Sequence, residues 1–316
     1  MNVAASIGRV LSDSIAEPSS KDYGRHGDFS LVGHGKITNE HCGKHKSYFG
    51  CLNVKGHNRI GSDGLNHKGQ VFVRKVLHSC DKPSCPICYK YGWATREAGK
   101  LEMRLLAASQ QFGEIEHIMC SVPRRDYGLS YEELRVKVVK ILESRGVHGG
   151  VLIFHAFRCT QRKHWYFSPH WHVLGFIRGG YKCRGCTKGC WNCDGFEGLV
   201  RRLRENDGYI VKVGEKRKTI GGTAWYQLNH ASVKVGVVRF HVATWFGVCS
   251  YHKLKVFPEK RRRVCPICGE ELVKLRFNGN MFVMNEHLSS NEHFFFDDAV
   301  DESGHKNWVV DTKRVW

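Results

Sequence analysis

The feature that most constrains the fold of this chain is its pattern of cysteine pairs. Among 14 cysteines, four pairs have a spacing of two intervening residues, where chance placement would give fewer than about one. That spacing lets two thiolates reach one metal ion from a single tight turn. The N-terminus lacks a basic start followed by an apolar core, so we expect a reducing, intracellular compartment in which such pairs bind zinc. The pairs are Cys85/Cys88, Cys183/Cys186, Cys190/Cys193 and Cys265/Cys268.

We expect these pairs to build two or three structural Zn²⁺ sites. One complete set of four thiolates lies within eleven residues, at Cys183, Cys186, Cys190 and Cys193. A second set, typical of a zinc ribbon, combines Cys249 and His252 with Cys265 and Cys268. A third set contains Cys85 and Cys88, with its other ligands open among Cys80, Cys51, Cys42 and nearby histidines. Four protein ligands close the coordination shell of zinc, so these sites stabilise the fold without performing chemistry.

The charge balance points to a polyanionic partner. The chain has 316 residues, with 49 Lys and Arg against 30 Asp and Glu, a formal charge of +19. Lys and Arg that neutralise phosphates release condensed counterions, which makes nucleic acid the first expectation. A solubilising surface charge or attraction to acidic lipid would also account for the excess. No run reaches the roughly 18 to 20 apolar residues of a membrane span, so we expect a soluble, cytoplasmic protein without a membrane partner.

Hydrophobic periodicity predicts an α+β fold. Strands are predicted at 115–122, 151–158, 170–177, 209–213 and 237–246, and helices at 93–112, 130–145, 199–205 and 223–233. This order is typical of an antiparallel sheet with helices on one face. We divide the chain into a loosely ordered arm (1–40), a Cys/His-rich zinc module with a helix (41–112), a central domain (113–246) with the cysteine cluster inserted at 183–193, a zinc ribbon (247–280) and a polar tail (281–316).

Two short motifs contain residue types that phosphoryl chemistry uses. Strand alternation directs His170 and His172 to one face and Trp171 to the other, a geometry that can hold a divalent ion. In the helix that follows Gly222, with Thr223 as its expected cap, Tyr226 and His230 are four residues apart and share a face. A phenol beside an imidazole is a reasonable nucleophile arrangement. Each motif also has a purely structural interpretation. The histidine pair would then be polar residues on an exposed strand face, and Tyr226 would be a half-buried packing residue.

A histidine pair on a strand followed by the Tyr226 helix resembles the motif order of the His-hydrophobe-His (HUH) endonuclease superfamily. Within it, the chain is most similar to rolling-circle replication initiators of archaeal plasmids and viruses. The similarity lies in the segments 155–158, 168–175, 226–231 and 244–247 and in the cysteine module at 80–88. The resemblance covers about residues 80 to 270. It implies a five-stranded antiparallel sheet, an HUH or RRM-like palm, whose central strand carries the two histidines and faces the helix with the tyrosine.

The resemblance also implies an activity. Tyr226 would attack a phosphodiester of single-stranded DNA at an origin, forming a 5′-phosphotyrosine link, while His170 and His172 hold Mn²⁺ or Mg²⁺. The third ligand stays open between His155 and His230, with strand alternation favouring His155. Host helicase and polymerase would be partners, since the chain has no phosphate-binding loop of a helicase. The expected DNA contacts are Arg158, Lys163, Trp165, Arg201 and Arg202, with Trp171 and Trp225 as further stacking faces.

Two alternatives to replication initiation remain at this point. A transposase or relaxase of the same superfamily would use the same chemistry on different DNA. A zinc-ribbon DNA-binding regulator would need only the charge and the cysteines, and its histidine pair would be incidental.

Overall fold

A computed structural model describes residues 25–37, 39–61, 64–161, 164–177, 207–237, 240–256, 263–278, 293–297 and 307–311. Two units can be distinguished. The larger unit contains Ser19–Glu40 and Ser79–Pro258, and the smaller unit contains His41–His78 and Glu259–Trp316. Among the helices of the described ranges, none combines the length and the apolar character that a bilayer crossing requires.

The larger unit is built on a five-stranded antiparallel sheet, as the sequence predicts. The strands of this unit are β1 (Arg25–His26), β2 (Phe29–Leu31), β5 (Glu116–Ser121), β6 (Val147–Cys159), β7 (Trp165–Ile177), β8 (Ile210–Val213), β9 (Ser232–Lys234) and β10 (Ala243–Gly247). The strand order of the five-stranded sheet is β10-β6-β7-β5-β8, so β7 lies at its centre. The strands β1, β2 and β9 form a separate small sheet in the same unit.

Three α-helices cover this sheet in the described residues, and they lie on both of its faces. The helices are α1 (Thr95–Phe112), α2 (Tyr131–Ser144) and α3 (Ile220–Asn229). Helix α2 packs on the face that contains Trp171 and Phe154. Helices α1 and α3 pack on the opposite face, against Ile153 and Leu174. The expectation of helices on one face is therefore wrong, because the strands are apolar on both sides and each side needs a cover.

Helices α1 and α2 follow their predicted periodicity closely. The α1 residues that recur at spacings of three and four form its buried stripe: Ala98, Leu101, Leu105 and Ala108. Ser130 caps α2 in a reciprocal capping box with Glu133, which satisfies backbone N–H groups that the first turn leaves free.

The region of α3 differs from its prediction at both ends. The helix begins one turn earlier than predicted, because Thr219 rather than Thr223 is its N-cap and accepts a hydrogen bond from the Gly222 N–H. It ends at Asn229, and residues 232–234 form β9, which pairs with β2 at Phe29–Leu31. Gly221 allows a close approach to α1, since a Cβ there would lie 2.7 Å from a carboxylate oxygen of Glu102.

The smaller unit contains a second five-stranded sheet. Its strands come from two distant stretches of the chain: β3 (His45–Cys51), β4 (Gln70–Leu77), β11 (Val273–Phe277), β12 (His293–Asp297) and β13 (Trp308–Val310). Their order in the sheet is β12-β4-β3-β11-β13. All four pairings are antiparallel. The structure differs here from the predicted domain boundaries. Residues 41–78 belong to the smaller unit, whereas α1, which was predicted to share a module with them, belongs to the larger unit. The expected polar tail contributes the strands β12 and β13. Residues 25–31 of the expected arm likewise form β1 and β2.

Candidate active site

Three histidines of the larger unit meet on the face of the central sheet that packs against α1 and α3. His155 on β6 and His170 on β7 are directly opposite each other in the strand register, and His172 follows two residues later on the same side. Their ring centroids are 4.5 to 5.2 Å apart. One ligand atom from each of the three lies within 4.8 Å of the others. We call His155, His170 and His172 the histidine triad.

A β-bulge shapes the strands at this point. The regular register between β6 and β7 is interrupted between His155 and Phe157. Pro169, which has no N–H to donate to a ladder, lies opposite this interruption. The N–H of Ala156 instead donates to the Ser232 hydroxyl at 2.8 Å. Bulges re-aim neighbouring side chains, and His155 and His170 lie directly beside this one.

Main-chain carbonyls determine which ring nitrogen of the triad faces inward. His170 Nδ1 lies 2.8 Å from the Ser168 carbonyl oxygen. Because a carbonyl only accepts hydrogen bonds, Nδ1 carries the proton and Nε2 has the free lone pair. In the described part of the chain, the buried His155 Nε2 has no hydrogen-bond partner. Unprotonated imidazole nitrogens that converge in this way could hold a metal ion.

Burial keeps the triad neutral. It lowers the pKa of His170 to about 4, and the Arg158 charge acts in the same direction. Burial and the neighbouring imidazoles lower the pKa of His155 and of His172 well below the ordinary histidine value. Neutral rings are the form that binds a metal cation. The site therefore presents three uncharged nitrogen donors and no carboxylate within the group.

Two further residues to which the sequence analysis gave no role lie next to the triad: His117 contacts His172, and Gln227 contacts His117. His117 on β5 places its Nε2 2.8 Å from His172 Nδ1. The two imidazole rings are stacked, with their centroids 5.1 Å apart. Gln227 on α3 is buried and places its amide nitrogen 3.4 Å from the same His117 atom. The α3 helix thus contacts the histidines directly. His117 belongs to no short motif, and Gln227 lies in the segment 226–231 without a role expected for it, so only the pairing of β5 with β7 and the docking of α3 reveal these contacts.

Tyr226 lies on α3 next to Gln227 and is 40% exposed. The Arg217 guanidinium lies over its ring, 4.1 Å from the centroid. The His230 ring is 4.7 Å away, and Trp165 stacks with His230 at 6.3 Å. The result is a partly exposed series of cationic and aromatic faces beside the triad, of the kind that unstacked bases and phosphates contact. Arg217 was also missed, since it precedes the helix in an irregular segment.

The other expected site residues have mixed outcomes. His230 is outside the triad group, and its Nδ1 bonds to the Tyr226 carbonyl at 2.9 Å. Arg158 donates to the Ser121 hydroxyl at 2.6 Å, close enough to the triad for its charge to act on His170. Trp171 is fully buried on the opposite face, so it offers no stacking surface. Lys163, Arg201, Arg202 and the Cys183, Cys186, Cys190 and Cys193 cluster lie outside the described residues.

The sulfurs of Cys80, Cys85 and Cys88 lie within 4.8 Å of one another in the larger unit. Converging thiols are the donors that structural zinc sites use. Cys51, one of the ligands left open for this set, lies in a second group of donors instead.

The second group combines Cys51, His57, Cys265 and Cys268 in the smaller unit. His57 Nδ1 bonds to the Gln70 carbonyl at 2.6 Å, and its Nε2 lies 3.3 Å from Cys265 Sγ. The Gln70 carbonyl therefore fixes the proton of His57 on Nδ1, which leaves the Nε2 lone pair free for a zinc ion.

Cys249 and His252, the expected partners of Cys265, are not in this group. Cys249 is buried in the core of the larger unit, where burial raises its thiol pKa to about 11, and His252 is exposed. The prediction of a zinc ribbon at 247–280 is therefore wrong, because Cys51 and His57, which complete the group of Cys265 and Cys268, come from far earlier in the chain.

Comparison of the chain with protein-family models, with curated proteins and with solved structures found no match.

Proposed function

We propose that this protein is a metal-assisted single-stranded DNA endonuclease and strand-joining enzyme of the HUH type, with Tyr226 as nucleophile. The observation that carries the proposal is the histidine triad on the central strands, packed under the helix that bears Tyr226. The motifs resemble rolling-circle replication initiators, so we propose origin DNA as the substrate and a host helicase and polymerase as partners.

The donor set supports an ion at the triad. His155, His170 and His172 would hold it, and the buried His155 Nε2 without a partner in the described residues is the atom that most needs one. Of the two ions that the resemblance implies, Mn²⁺ suits three imidazoles better, because Mg²⁺ prefers oxygen ligands. When bound, a divalent ion stabilises the negative charge that builds on the phosphate in the transition state.

The surroundings of Tyr226 support its role as nucleophile. Its side chain is exposed enough to meet a DNA strand, and Arg217 over its ring favours an anionic neighbour, either a phenolate or a phosphate. In the proposed step, Tyr226 Oη forms a bond to phosphorus and loses its proton. The bond from phosphorus to the 3′ oxygen breaks, and that oxygen leaves and gains a proton. A 5′-phosphotyrosine link and a free 3′-hydroxyl result, and the reverse reaction joins strands.

Charge and aromatic faces around the site support a single-stranded substrate. Arg158 and Arg217 are cations whose fields reach the triad or the tyrosine. Trp165 and His230 stack beside them. Phosphates would contact the cations while splayed bases lie on the rings, which is how proteins hold single strands.

A cleavage assay tests the proposal. Wild type, Tyr226→Phe, His170→Ala and the control Tyr166→Phe, which alters another exposed tyrosine, are incubated with a pool of 5′- and 3′-labelled single-stranded oligonucleotides and Mn²⁺. We expect cleavage and a slow-migrating covalent species for wild type and Tyr166→Phe only. Equal cleavage by Tyr226→Phe would remove the nucleophile assignment. DNA binding without cleavage under all conditions would favour a non-catalytic regulator, and cleavage restricted to transposon or transfer-origin sequences would favour a transposase or relaxase.

A further inference from the structure

We infer that His117 is a positioning residue that holds the ring of His172 in the tautomer whose Nε2 faces the ion. The inference rests on the proposed metal site and assigns to it a fourth histidine that makes no contact with the metal.

The chain of hydrogen bonds that leads to His172 begins at a main-chain carbonyl. His117 Nδ1 lies 2.7 Å from the Glu215 carbonyl oxygen. A carbonyl only accepts, so His117 Nδ1 carries a proton. The side-chain amide nitrogen of Gln227, which can only donate, lies 3.4 Å from the other ring nitrogen of His117, Nε2. A donor directed at Nε2 makes this atom the acceptor of the ring.

This acceptor determines the state of His172. His117 Nε2 lies 2.8 Å from His172 Nδ1, so His172 must donate through Nδ1 and keep its lone pair on Nε2. The Gln227 amide also approaches His117 Nε2, but at 3.4 Å it is the weaker partner. The Glu215 carbonyl thus sets the tautomer of His172 through one intervening ring, that of His117.

The choice of an imidazole as acceptor has a chemical consequence. Metal-ligating histidines commonly donate their second N–H to a carboxylate or a carbonyl. A carboxylate would bring negative charge to the site, whereas neutral His117 brings none. With three neutral ligands and a neutral second partner, the full charge of the ion remains available to a phosphate oxygen.

Mn²⁺ binding without DNA tests the inference. Free Mn²⁺ is followed by electron paramagnetic resonance in wild type, His117→Leu, His117→Gln and the control Met119→Leu. Met119 lies on the same strand, opposite His172 in the register. Gln retains an acceptor, whereas Leu does not. We expect His117→Leu to bind Mn²⁺ about 10- to 100-fold more weakly, and the other two variants to stay within a few-fold of wild type.

Several results would overturn the inference. These are an unchanged affinity of His117→Leu, an equal loss in His117→Gln, or an equal loss in Met119→Leu, which would indicate packing alone. If His117→Leu does not fold, ¹⁵N NMR of ion-free wild type decides, since we expect a protonated Nδ1 on His172 coupled to His117 Nε2 and a protonated Nε2 would contradict the inference. Because the readout is ion binding, wild type that binds Mn²⁺ but never cleaves DNA would refute the proposed function and leave this inference standing.

Discussion

Acidification tests the burial of the histidine triad. His170 is 4% exposed and has a folded-state pKa of about 4, against about 6.5 in an unfolded chain. The unfolded chain therefore binds a proton between these values while the folded protein does not. The stability from neutral His170 is fully present above pH 6.5 and is lost as the pH falls toward 4.

The size of the effect follows from the two pKa values. Over the whole window, a difference of about 2.5 pKa units corresponds to about 3.4 kcal/mol, and by pH 5 about 2 kcal/mol is already lost. His170→Asn removes this titration and can keep a donor toward the Ser168 carbonyl, which His170 Nδ1 bonds at 2.8 Å. Between pH 7 and pH 5, the unfolding free energy of wild type should therefore fall by about 2 kcal/mol more than that of the variant.

Urea unfolding at a series of pH values measures this difference. The triad must be free of ion and the cysteine-bound zinc retained, which metal analysis can verify. Acid weakens cysteine–zinc binding in both proteins equally, so their difference isolates His170. The control His241→Asn, at an exposed histidine of the same unit, should follow wild type. Parallel pH curves for wild type and His170→Asn would refute the reasoning that burial holds the triad neutral.

Three further predictions concern the nucleophile, the core and the second zinc group. Tyr226→Phe should change the unfolding free energy by no more than about 0.5 kcal/mol and leave DNA affinity largely intact, since the side chain is 40% exposed; a large loss in a denaturation curve would mean a structural role. Phe154→Ala should cost about 3 to 5 kcal/mol, because this ring is 1% exposed; a cost below 1 kcal/mol would contradict its place in the core. Cys265→Ser should release one zinc ion per chain and lower the thermal stability of the smaller unit; unchanged zinc content would refute the assignment of that group.

Local patterns predict the strands and helices that build the central sheet. The alternation around His170 and the 3.6-residue stripe of α1 both reflect burial of one side of an element, which local sequence records. The end of α3 could not be predicted in this way. Ala231 and Val233 continue an apolar pattern that suits a helix, but pairing of β9 with Phe29–Leu31 extends the backbone instead. That partner lies about 200 residues away in the chain.

The same limit applies to the metal groups. Cysteine spacing identifies the turn at Cys265 and Cys268, but not Cys51 and His57, which a distant strand and loop bring to the same place. His117 has no motif of its own, and its importance depends on the register that sets Met119 opposite His172. Sequence spacing therefore finds ligands within one turn, whereas ligands and hydrogen-bond partners joined across strands require the structure.

We propose that Tyr226 forms a covalent bond with DNA beside an ion held by the histidine triad. The most direct test is mass spectrometry of proteolytic peptides after reaction of the full chain with single-stranded DNA and Mn²⁺, followed by nuclease trimming of the DNA. We expect a nucleotide mass on the peptide that contains Tyr226, and its loss when His170 is replaced by Ala. An adduct on a different tyrosine, or cleaved DNA with no adduct on any peptide, would contradict the account.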